Sequence, residues 1–436
     1  MTLSWLSIVR LGLVQVALGS VVVLTTSTLN RLMVVELALP ALLPGFLVAL
    51  HYGVQISRPN WGFLSDTSGR RSRWIIGGMV ILAMGAMLAS LAISVFAMSF
   101  ALGLAVSILA YAMIGLGVGA SGTSLLALLA TATAERRRAA AAMITWLMMI
   151  AGIAVTAGVV GALLDPYSLG LLLRIVAVVC LGAVVLTTLA VIGIEPRGGF
   201  VKDDATINQS FRDGLREVWA EDKARQFTLF VALSMTAYFM QELILEPYAG
   251  LVFGFTPGQS TSLSGIQNGG VFAGMLVVGI AATGLRLFSL RTWVIAGCVG
   301  SALSLSAIAM AGATADPAVL RSCVIMLGVF NGMFAVAAIG SMMALAAQGR
   351  AAREGTRMGL WGAAQALAAG FGGLLGAASA DLMRYLIGAD APAFSAVFLA
   401  EALLFLMAAI MAYRVIAGGR PRTRSSPLMT KEATHV

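Results

Sequence analysis

Twelve apolar runs separated by polar or charged breaks constrain the fold of this chain more than any other feature of its sequence. About 20 apolar residues form a helix long enough to cross the hydrocarbon core of a bilayer, and most of the runs reach that length. The second run is short and the fourth, tenth and eleventh are long, which predicts tilted or kinked helices. The sequence therefore predicts an all-α polytopic membrane protein with twelve transmembrane helices, at residues 10–30, 41–57, 74–95, 100–130, 139–163, 171–194, 226–253, 263–285, 292–312, 319–346, 358–387 and 392–414.

The distribution of basic residues predicts which side of the membrane each break occupies. The chain is 59% hydrophobic and 11% charged, with a net charge of +9, whereas about a quarter of the residues in a soluble domain are charged. If the N-terminus is cytoplasmic, all of the 28 Lys and Arg residues except Arg31, Arg174, Arg321 and Arg384 lie on the cytoplasmic side. Acidic residues divide far less unevenly, which is the positive-inside pattern. Both termini are therefore predicted to be cytoplasmic, and nucleic acid is not expected as a partner.

One sizeable polar stretch divides the twelve spans into six and six. Within it, Phe211, Leu215, Val218 and Trp219 recur at helical spacing, which predicts an amphipathic helix along the membrane surface. We expect four regions: an N-terminal half at 1–194, a cytoplasmic linker at 195–225, a C-terminal half at 226–414 and a basic disordered tail at 415–436.

The two halves also resemble one another in sequence. Residues 138–161 align with residues 353–376 at a single offset of 215. Two repeated halves around a central cavity are typical of secondary transporters. The alignment matches Arg138 with Arg353, Trp146 with Trp361, Gly158 with Gly373 and Gly161 with Gly376.

His51 is the one histidine inside an apolar run. It lies seven residues before Arg58, so a helix would place it about 10 Å from the cytoplasmic boundary. A neutral imidazole at that depth can ligate a metal or accept a proton. Alternatively it forms a hydrogen bond to a neighbouring helix. Gln55 lies one turn further on and shares its face.

Two carboxyl groups lie on one face of the seventh span. Glu242 and Glu246 are four residues apart near its predicted extracytoplasmic end, and we expect Pro247 to break the helix there. A poorly solvated pair of this kind can couple to protons. The alternative is a salt bridge with Arg31 or another partner from the opposite half. Arg31 and Glu36 form a similar group at the end of the first span.

The sequence contains no motif of a soluble enzyme. It has no P-loop, no dinucleotide-binding fingerprint, no Cys/His metal cluster and no nucleophile–histidine–acid set. We therefore expect neither catalysis nor a metal centre.

The break between the second and third spans carries an ordered motif. It contains Gly62, Asp66 and then Gly69-Arg70-Arg71, and this order resembles the loop between the second and third helices of the major facilitator superfamily. A glycine lets two helix ends approach, while the carboxylate can meet a cation or a positive helix N-terminus. The resemblance implies a cytoplasmic gate and the major facilitator fold, with two pseudo-symmetric six-helix halves.

Three further stretches resemble the PucC/LhaA family, a branch of that superfamily found in photosynthetic bacteria. They cover the first three spans, the seventh, and the tenth to eleventh. They are residues 29–41 with Leu50-His51-Tyr52, residues 241–250 (Gln-Glu-Leu-Ile-Leu-Glu-Pro-Tyr-Ala-Gly), and residues 359–365 with Gly372, Gly373 and Gly376.

The family resemblance implies a function in handling pigment. It implies a factor of the intracytoplasmic photosynthetic membrane that holds bacteriochlorophyll, or a precursor, without a covalent bond. His51 would be the axial ligand of its magnesium, with Gln55, Gln241 or Gln267 as alternatives. The partners implied are membrane lipids, light-harvesting antenna polypeptides or a reaction-centre complex.

Two further hypotheses remain open at the level of sequence. The compact hinge departs from the family pattern, which leaves a pigment synthase as an alternative partner. A proton-coupled transporter of a small amphiphile, using Glu36, Glu242 and Glu246, is the alternative function.

Overall fold

The computed structural model describes residues 3–58, 61, 70–134, 137–195, 219–285, 287–346 and 354–416, and this part of the chain is helical with no β-strand. Twelve helices follow one another in it: α1 (Trp5–Glu36), α2 (Leu42–Val54), α3 (Arg71–Met98), α4 (Phe100–Ala132), α5 (Arg138–Leu163), α6 (Leu169–Val191), α7 (Asp222–Phe253), α8 (Pro257–Val278), α9 (Leu290–Thr314), α10 (Pro317–Ala346), α11 (Glu354–Ile387) and α12 (Asp390–Val415). Two turns of α1 (Leu24–Thr28 and Leu32–Glu36) are π-helical, and a 3₁₀ turn (Gln55–Ser57) extends α2.

Helix lengths confirm the predicted membrane architecture. Eleven helices of the described chain are long and apolar enough to cross a bilayer. The exception is α2, whose 13 residues span about 20 Å, in agreement with the short second run of the sequence. The protein is a multi-pass membrane protein, and the prediction of an all-α chain with twelve helices is confirmed.

The helix ends gather at two faces. The short-loop face, as we call it, contains the connections at residues 37–41, 99, 164–168, 254–256, 315–316 and 388–389. The terminal face contains the other helix ends, including the start of α1 and the end of α12. The predicted linker at 195–225 and tail at 415–436 lie largely outside the described residues, so their amphipathic and disordered character stays a prediction.

Helix packing repeats between the two halves. In the first half α1 packs on α5 and α6, α2 on α4, and α3 on α4 and α6. Each of these contacts recurs when six is added to the helix numbers: α7 packs on α11 and α12, α8 on α10, and α9 on α10 and α12. The two largest contacts between the halves, α5 with α8 and α2 with α11, are also exchanged by this operation.

Each half has a hydrophobic core of its own. One cluster of buried side chains comes from helices α1 to α6 and includes a single residue of α7, Leu243. The other comes from α7 to α12 and includes a single residue of α5, Ile150. Apolar burial therefore stabilises the halves separately, while small residues and polar contacts join them.

The prediction that Pro247 breaks the seventh span is wrong. Helix α7 continues through Pro247 to Phe253 and ends at Gly254, whose φ is +68°. Proline lacks the N–H that would bond to the carbonyl four residues earlier, which is that of Leu243. Here Asn30 Nδ2 donates to Leu243 O at 2.8 Å. A side chain of α1 thus replaces the missing bond, as partners from neighbouring helices do in membranes.

Candidate functional site

A polar turn of α1 forms the centre of the contact between the halves. The run Thr25-Thr26-Ser27-Thr28 lies in the first π-helical segment, and all four side chains are buried. Ser27 and Ser264 of α8 share a hydrogen bond of 2.8 Å, and Thr28 and Thr261 share one of 3.1 Å. π-Helical turns inside α-helices frequently occur at functional sites.

Arg31 forms an ion pair within its own helix and a hydrogen bond to the other half. Its Nη1 lies 2.5 Å from Glu36 Oε1, and its Nη2 donates to the Phe255 carbonyl at 2.8 Å. Its Nε has no hydrogen-bond partner within the described chain. The charge of Arg31 is therefore directed mainly at Glu36, although Glu246 is also nearby.

Glu246 lies in the same region without a direct partner. It is 2% exposed, and neither carboxyl oxygen forms a hydrogen bond with a described residue. The Ser27 and Ser264 hydroxyls lie beside it. The predicted salt bridge between Glu246 and Arg31 does not form as a direct contact. Arg31 directs its Nη1 to Glu36 at 2.5 Å and its Nη2 to the Phe255 carbonyl at 2.8 Å instead.

Glu242 lies one turn nearer the middle of α7 and is half-buried. Its electrostatic neighbours are Tyr52 of α2 and Tyr238 of its own helix. The Tyr52 ring also packs edge-on against Phe239, with centroids 6.2 Å apart. The structure therefore places the two predicted carboxyls in different surroundings, one between two tyrosines and one beside two serines.

His51 is a buried, hydrogen-bonded residue of α2. It is 3% exposed, and the Gln55 amide nitrogen lies 3.0 Å from its Nε2. Because an amide nitrogen only donates, His51 Nε2 accepts. Arg58 in turn donates to Gln55 Oε1. His51 Nδ1 has no partner among the described residues.

The backbone of α4 comes very close to α2 at His51. A Cβ added at Gly115 would lie only 2.5 Å from the His51 carbonyl oxygen. The His51 backbone is thus packed against α4, and the Nε2 lone pair of the imidazole is occupied by Gln55. A magnesium ligand needs that lone pair free, so ligation by Nε2 requires Gln55 to turn away.

The other predicted ligands do not join His51. Gln241 lies in α7 and is 1% exposed, with its Oε1 unpartnered in the described structure. The half-buried Gln267 lies in α8, where its backbone carbonyl oxygen would be 2.2 Å from a Cβ added at Gly328 of α10. Only His51 and Gln55 are brought together, and the roles of all four as pigment ligands stay predictions.

Part of the predicted gate motif is described. Arg71 N and Ser72 N donate to Glu195 Oε1 and Oε2 at 3.0 and 2.9 Å, and Arg71 Nη1 donates to Ala127 O at 3.1 Å. A carboxylate at a helix N-terminus stabilises it, so Glu195 fixes the start of α3. Arg70 is exposed. Gly62, Asp66 and Gly69 lie outside the described residues.

An apolar groove of about 480 Å³ opens between α1, α5 and α6. Small side chains line its floor, and Thr156 Oγ1 donates to Ser20 Oγ there at 2.7 Å. The groove contains no ionisable side chain. It suits a hydrocarbon chain better than a metal ion, and its lining includes Ala17, Ser20, Thr156, Gly182 and Ala183.

Sequence reasoning missed several polar residues of the contact between the halves. Ser27, Asn30 and Ser264 belong to this set, as does Asp381 of α11, whose carboxylate accepts from Ala41 N and Leu42 N at 3.1 and 2.7 Å. The sequence did contain a signal for Ser27 and Asn30, because five of the six residues from 25 to 30 are polar within an apolar run.

Comparison with known proteins identifies the family. Residues 28–419 match the family model described as PUCC protein. The chain belongs to the PUCC family. The resemblance to this family is thereby confirmed over most of the chain, from residue 28 onward, and the matched part includes His51 and Glu246.

Two relatives of the PUCC-family chain have informative names. It is 66% identical over 417 residues to the "Bacteriochlorophyll synthase 44.5 kDa chain" of Rhodobacter capsulatus, covering 96% of this chain and 97% of the relative. It is 30% identical over 386 residues to "Protein PucC" of Cereibacter sphaeroides, covering 83% of this chain and 81% of that relative.

Solved structures confirm the major facilitator fold. A bacterial homologue of the human lysosomal transporter Spinster, in an inward-facing and occupied conformation, superposes with a TM-score of 0.70 at 12% identity, covering 94% of this chain and 96% of that one. The nucleoside transporter NupG superposes with a TM-score of 0.66 at 14% identity, covering 94% and 98%. At these identities the likeness concerns the fold alone.

Proposed function

We propose that this PUCC-family protein is a membrane assembly factor that holds bacteriochlorophyll, or a precursor, and delivers it during assembly of photosynthetic complexes. The observation that carries the proposal is the 66% identity, over nearly all of both chains, to a relative named for bacteriochlorophyll synthase. The coarser role in photosynthetic complex assembly rests on the family and on the names of its members.

The protein acts in this proposal without catalysing a reaction. The name of the relative describes one chain of a synthase. Such a name fits a protein that accompanies the enzyme as well as it fits the catalytic chain. The described residues include no group of three or more His, Cys, Asp or Glu that could hold a metal ion. We therefore propose a pigment synthase, antenna polypeptides or a reaction-centre complex as partners.

We propose two separate regions for pigment, a ligand at His51 and an apolar groove between α1, α5 and α6. His51 is the first ligand to test, because its ring is shielded from water and its only hydrogen-bond partner given by the structure is Gln55. The groove beside Gly182 and Ala183 offers a flat apolar surface for a hydrocarbon tail. The two regions lie on different helices, so a tail in the groove and a macrocycle at His51 are separate parts of the proposal.

The positive-inside pattern supports a location and an orientation. We propose the bacterial inner membrane, in its intracytoplasmic photosynthetic form, with both termini and the terminal face in the cytoplasm. The short-loop face, with its salt bridge between Arg31 and Glu36, is then extracytoplasmic.

An absorption spectrum tests the pigment proposal. The full-length protein is purified in mild detergent from its photosynthetic host as wild type, His51→Ala and His435→Ala, the last changing the other histidine of the chain as a control. We expect a near-infrared band in wild type and His435→Ala, and its loss or shift in His51→Ala. A band unchanged in His51→Ala rejects the ligand and keeps the function. If the extraction is gentle enough to leave photosynthetic complexes intact and the purified protein still carries no pigment, the proposed function is rejected.

Transport coupled to protons is a second candidate function. It is favoured by Glu242, which is half-buried between Tyr52 and Tyr238 from opposite halves. In proteoliposomes with an imposed pH gradient, we expect a transporter to accumulate an amphiphilic tetrapyrrole, and Glu242→Gln to abolish the dependence on the gradient. Equal uptake with and without the gradient contradicts this function.

A further inference from the structure

Two buried side chains at the contact between α1 and α7 carry oxygen atoms without a direct hydrogen-bond partner among the described residues: Glu246, and Asn30, which bonds to Leu243 O three residues before Glu246. Both carboxyl oxygens of Glu246 and Oδ1 of Asn30 are buried and have no hydrogen-bond partner within the described chain. Glu246 is 2% exposed and Asn30 is 1% exposed. Buried polar atoms are seldom left without a partner, because removing them from water costs free energy. A bound species that accepts electron pairs from oxygen would compensate this cost.

The neighbouring atoms are also oxygens. The hydroxyls of Ser27 and Ser264 lie beside the Glu246 carboxyl and stabilise its charged form. They also share a hydrogen bond of 2.8 Å, which uses one of their two protons, so at most one remains for Glu246. The Asn30 amide donates its nitrogen to Leu243 O, which leaves its oxygen as the free end of the side chain. Hard cations prefer ligands of this kind, which are carboxylate, hydroxyl and amide oxygens.

The local charge selects a monovalent ion. Arg31 contributes one positive charge, and Glu36 and Glu246 contribute one negative charge each, so this cluster, when ionised, carries a net charge of −1. Glu242 is counted outside the cluster because its electrostatic neighbours are Tyr52 and Tyr238. Arg31 is already paired with Glu36 at 2.5 Å. A monovalent cation brings the cluster to neutrality, whereas a divalent ion would leave a positive charge in a poorly solvated place.

Backbone irregularity around the site fits an ion as well. Ser27 belongs to the π-helical turn Leu24–Thr28 of α1, and Glu246 directly precedes Pro247 in α7. Ion sites in secondary transporters form where transmembrane helices are irregular at the contact between repeats.

We propose that Glu246, Ser27, Ser264 and Asn30 form a binding site for one monovalent metal cation, for which Na⁺ is the probe. Other charged groups near this site are Arg31, Glu36 and Glu242, together with the hydroxyl of Tyr167, which faces Arg31 and Glu36. The site is separate from the proposed pigment site, and its test does not depend on bound pigment.

Thermal unfolding of the purified full-length protein tests the cation site. The midpoint Tm is measured at pH 8 as NaCl replaces choline chloride at constant ionic strength. A ligand that binds only the folded state raises Tm in a saturable way. We expect a rise of a few degrees in wild type, none in Glu246→Gln, and a wild-type response in Glu401→Gln, which changes another buried glutamate whose oxygens lack a direct side-chain partner among the described residues.

A second pair of variants keeps the test decisive if Glu246→Gln does not fold. Ser264→Ala removes one ligand, and we expect the half-saturating Na⁺ concentration to rise about tenfold. Ser260→Ala is the matched control, because Ser260 lies one turn away in α8 and bonds to Pro257 O.

Three results would overturn the cation site. The first is a wild-type Tm that is the same in Na⁺ and in choline. The second is an Na⁺ response that persists in Glu246→Gln, or that Ser264→Ala and Ser260→Ala change equally. The third is a Tm that depends on pH through Glu246 but not on Na⁺, which would make the bound species a proton.

Discussion

Asn30 of α1 donates a hydrogen bond of 2.8 Å to the carbonyl oxygen of Leu243 in α7, the oxygen whose helical partner is removed by Pro247. The contact joins the first helix of one half to the first helix of the other. It connects a local defect of α7 with the position of α1, because the carbonyl is satisfied only while the two helices stay together.

Removing this contact should destabilise the protein. Asn30→Ala leaves a buried carbonyl without a partner, and we expect the free energy of unfolding to fall by about 1–3 kcal/mol. Pro247→Ala restores the N–H that bonds to Leu243 O within α7. In that background, Asn30→Ala should therefore lower the free energy of unfolding by less. Unfolding in mixed micelles measures both effects as a double-mutant cycle. Asn268→Ala, which loses a bond to Ser264 O in its own helix, is the control. Additive losses would contradict the link between Asn30 and Pro247.

The hydrogen bond from Gln55 to His51 gives a prediction about pigment. Gln55→Ala frees His51 Nε2, so we expect this variant to retain at least as much pigment as wild type, while His51→Ala loses it. The measurement is the ratio of near-infrared absorbance to protein after purification. If Gln55→Ala loses pigment as completely as His51→Ala, the pair has a structural role and His51 is not the ligand.

Close packing at Gly161 makes the contact between α5 and α8 sensitive to a single methyl group. A Cβ at Gly161 would lie 2.5 Å from Ser262 N and 2.7 Å from Gly258 O, whereas a Cβ at Gly158 meets nothing within 4 Å. We expect Gly161→Ala to destabilise the protein by about 1–3 kcal/mol and Gly158→Ala to have little effect. Thermal unfolding in detergent compares the pair, and equal midpoints would refute the packing argument.

Asp381 of α11 caps the N-terminus of α2 from the opposite half. Its two oxygens accept from Ala41 N and Leu42 N, and a carboxylate there also interacts favourably with the helix dipole. We expect Asp381→Ala to cost about 1 kcal/mol and to widen the distribution of distances between the halves. Spin labels at the exposed positions Met98 and Tyr385 report that distance.

The control for Asp381 is a cap that does not cross the halves. Asp316 accepts from Ala318 N at 2.8 Å in the first turn of α10. Asp316→Ala should lower stability without changing the distance between the labels. A distance distribution that both variants widen alike would show that Asp381 does not hold the halves together.

The membrane architecture was readable from the sequence because apolar runs and basic loops are local features of the chain. The twelve runs became the twelve helices, and the short second run became α2 with its 13 residues. The offset of 215 also pointed to a real relationship, since α5 and α11 both form the contact between the halves. Yet the matched glycines have different partners there, Ser262 of α8 for Gly161 and Met240 of α7 for Gly376.

The candidate site was only partly readable. The spacing of His51 and Gln55 predicted that they share a face, and they form a hydrogen bond. The same kind of spacing suggested a common role for Glu242 and Glu246, but the structure gives them different neighbours. Pro247 in an apolar run suggested a break, because the sequence does not show that Asn30, more than 200 residues earlier, satisfies the freed carbonyl.

The sequence by itself determined that this chain is a polytopic helical membrane protein, how many helices it has and which family it resembles. Those properties follow from hydrophobicity along one dimension and from motifs within single segments. Only the tertiary structure decided that Arg31 pairs with Glu36, that Gln55 bonds to His51 Nε2 and that Glu246 has no direct hydrogen-bond partner among the described residues. Which polar groups compensate one another in a membrane depends on which helices become neighbours, and that arrangement is fixed by packing across the whole bundle.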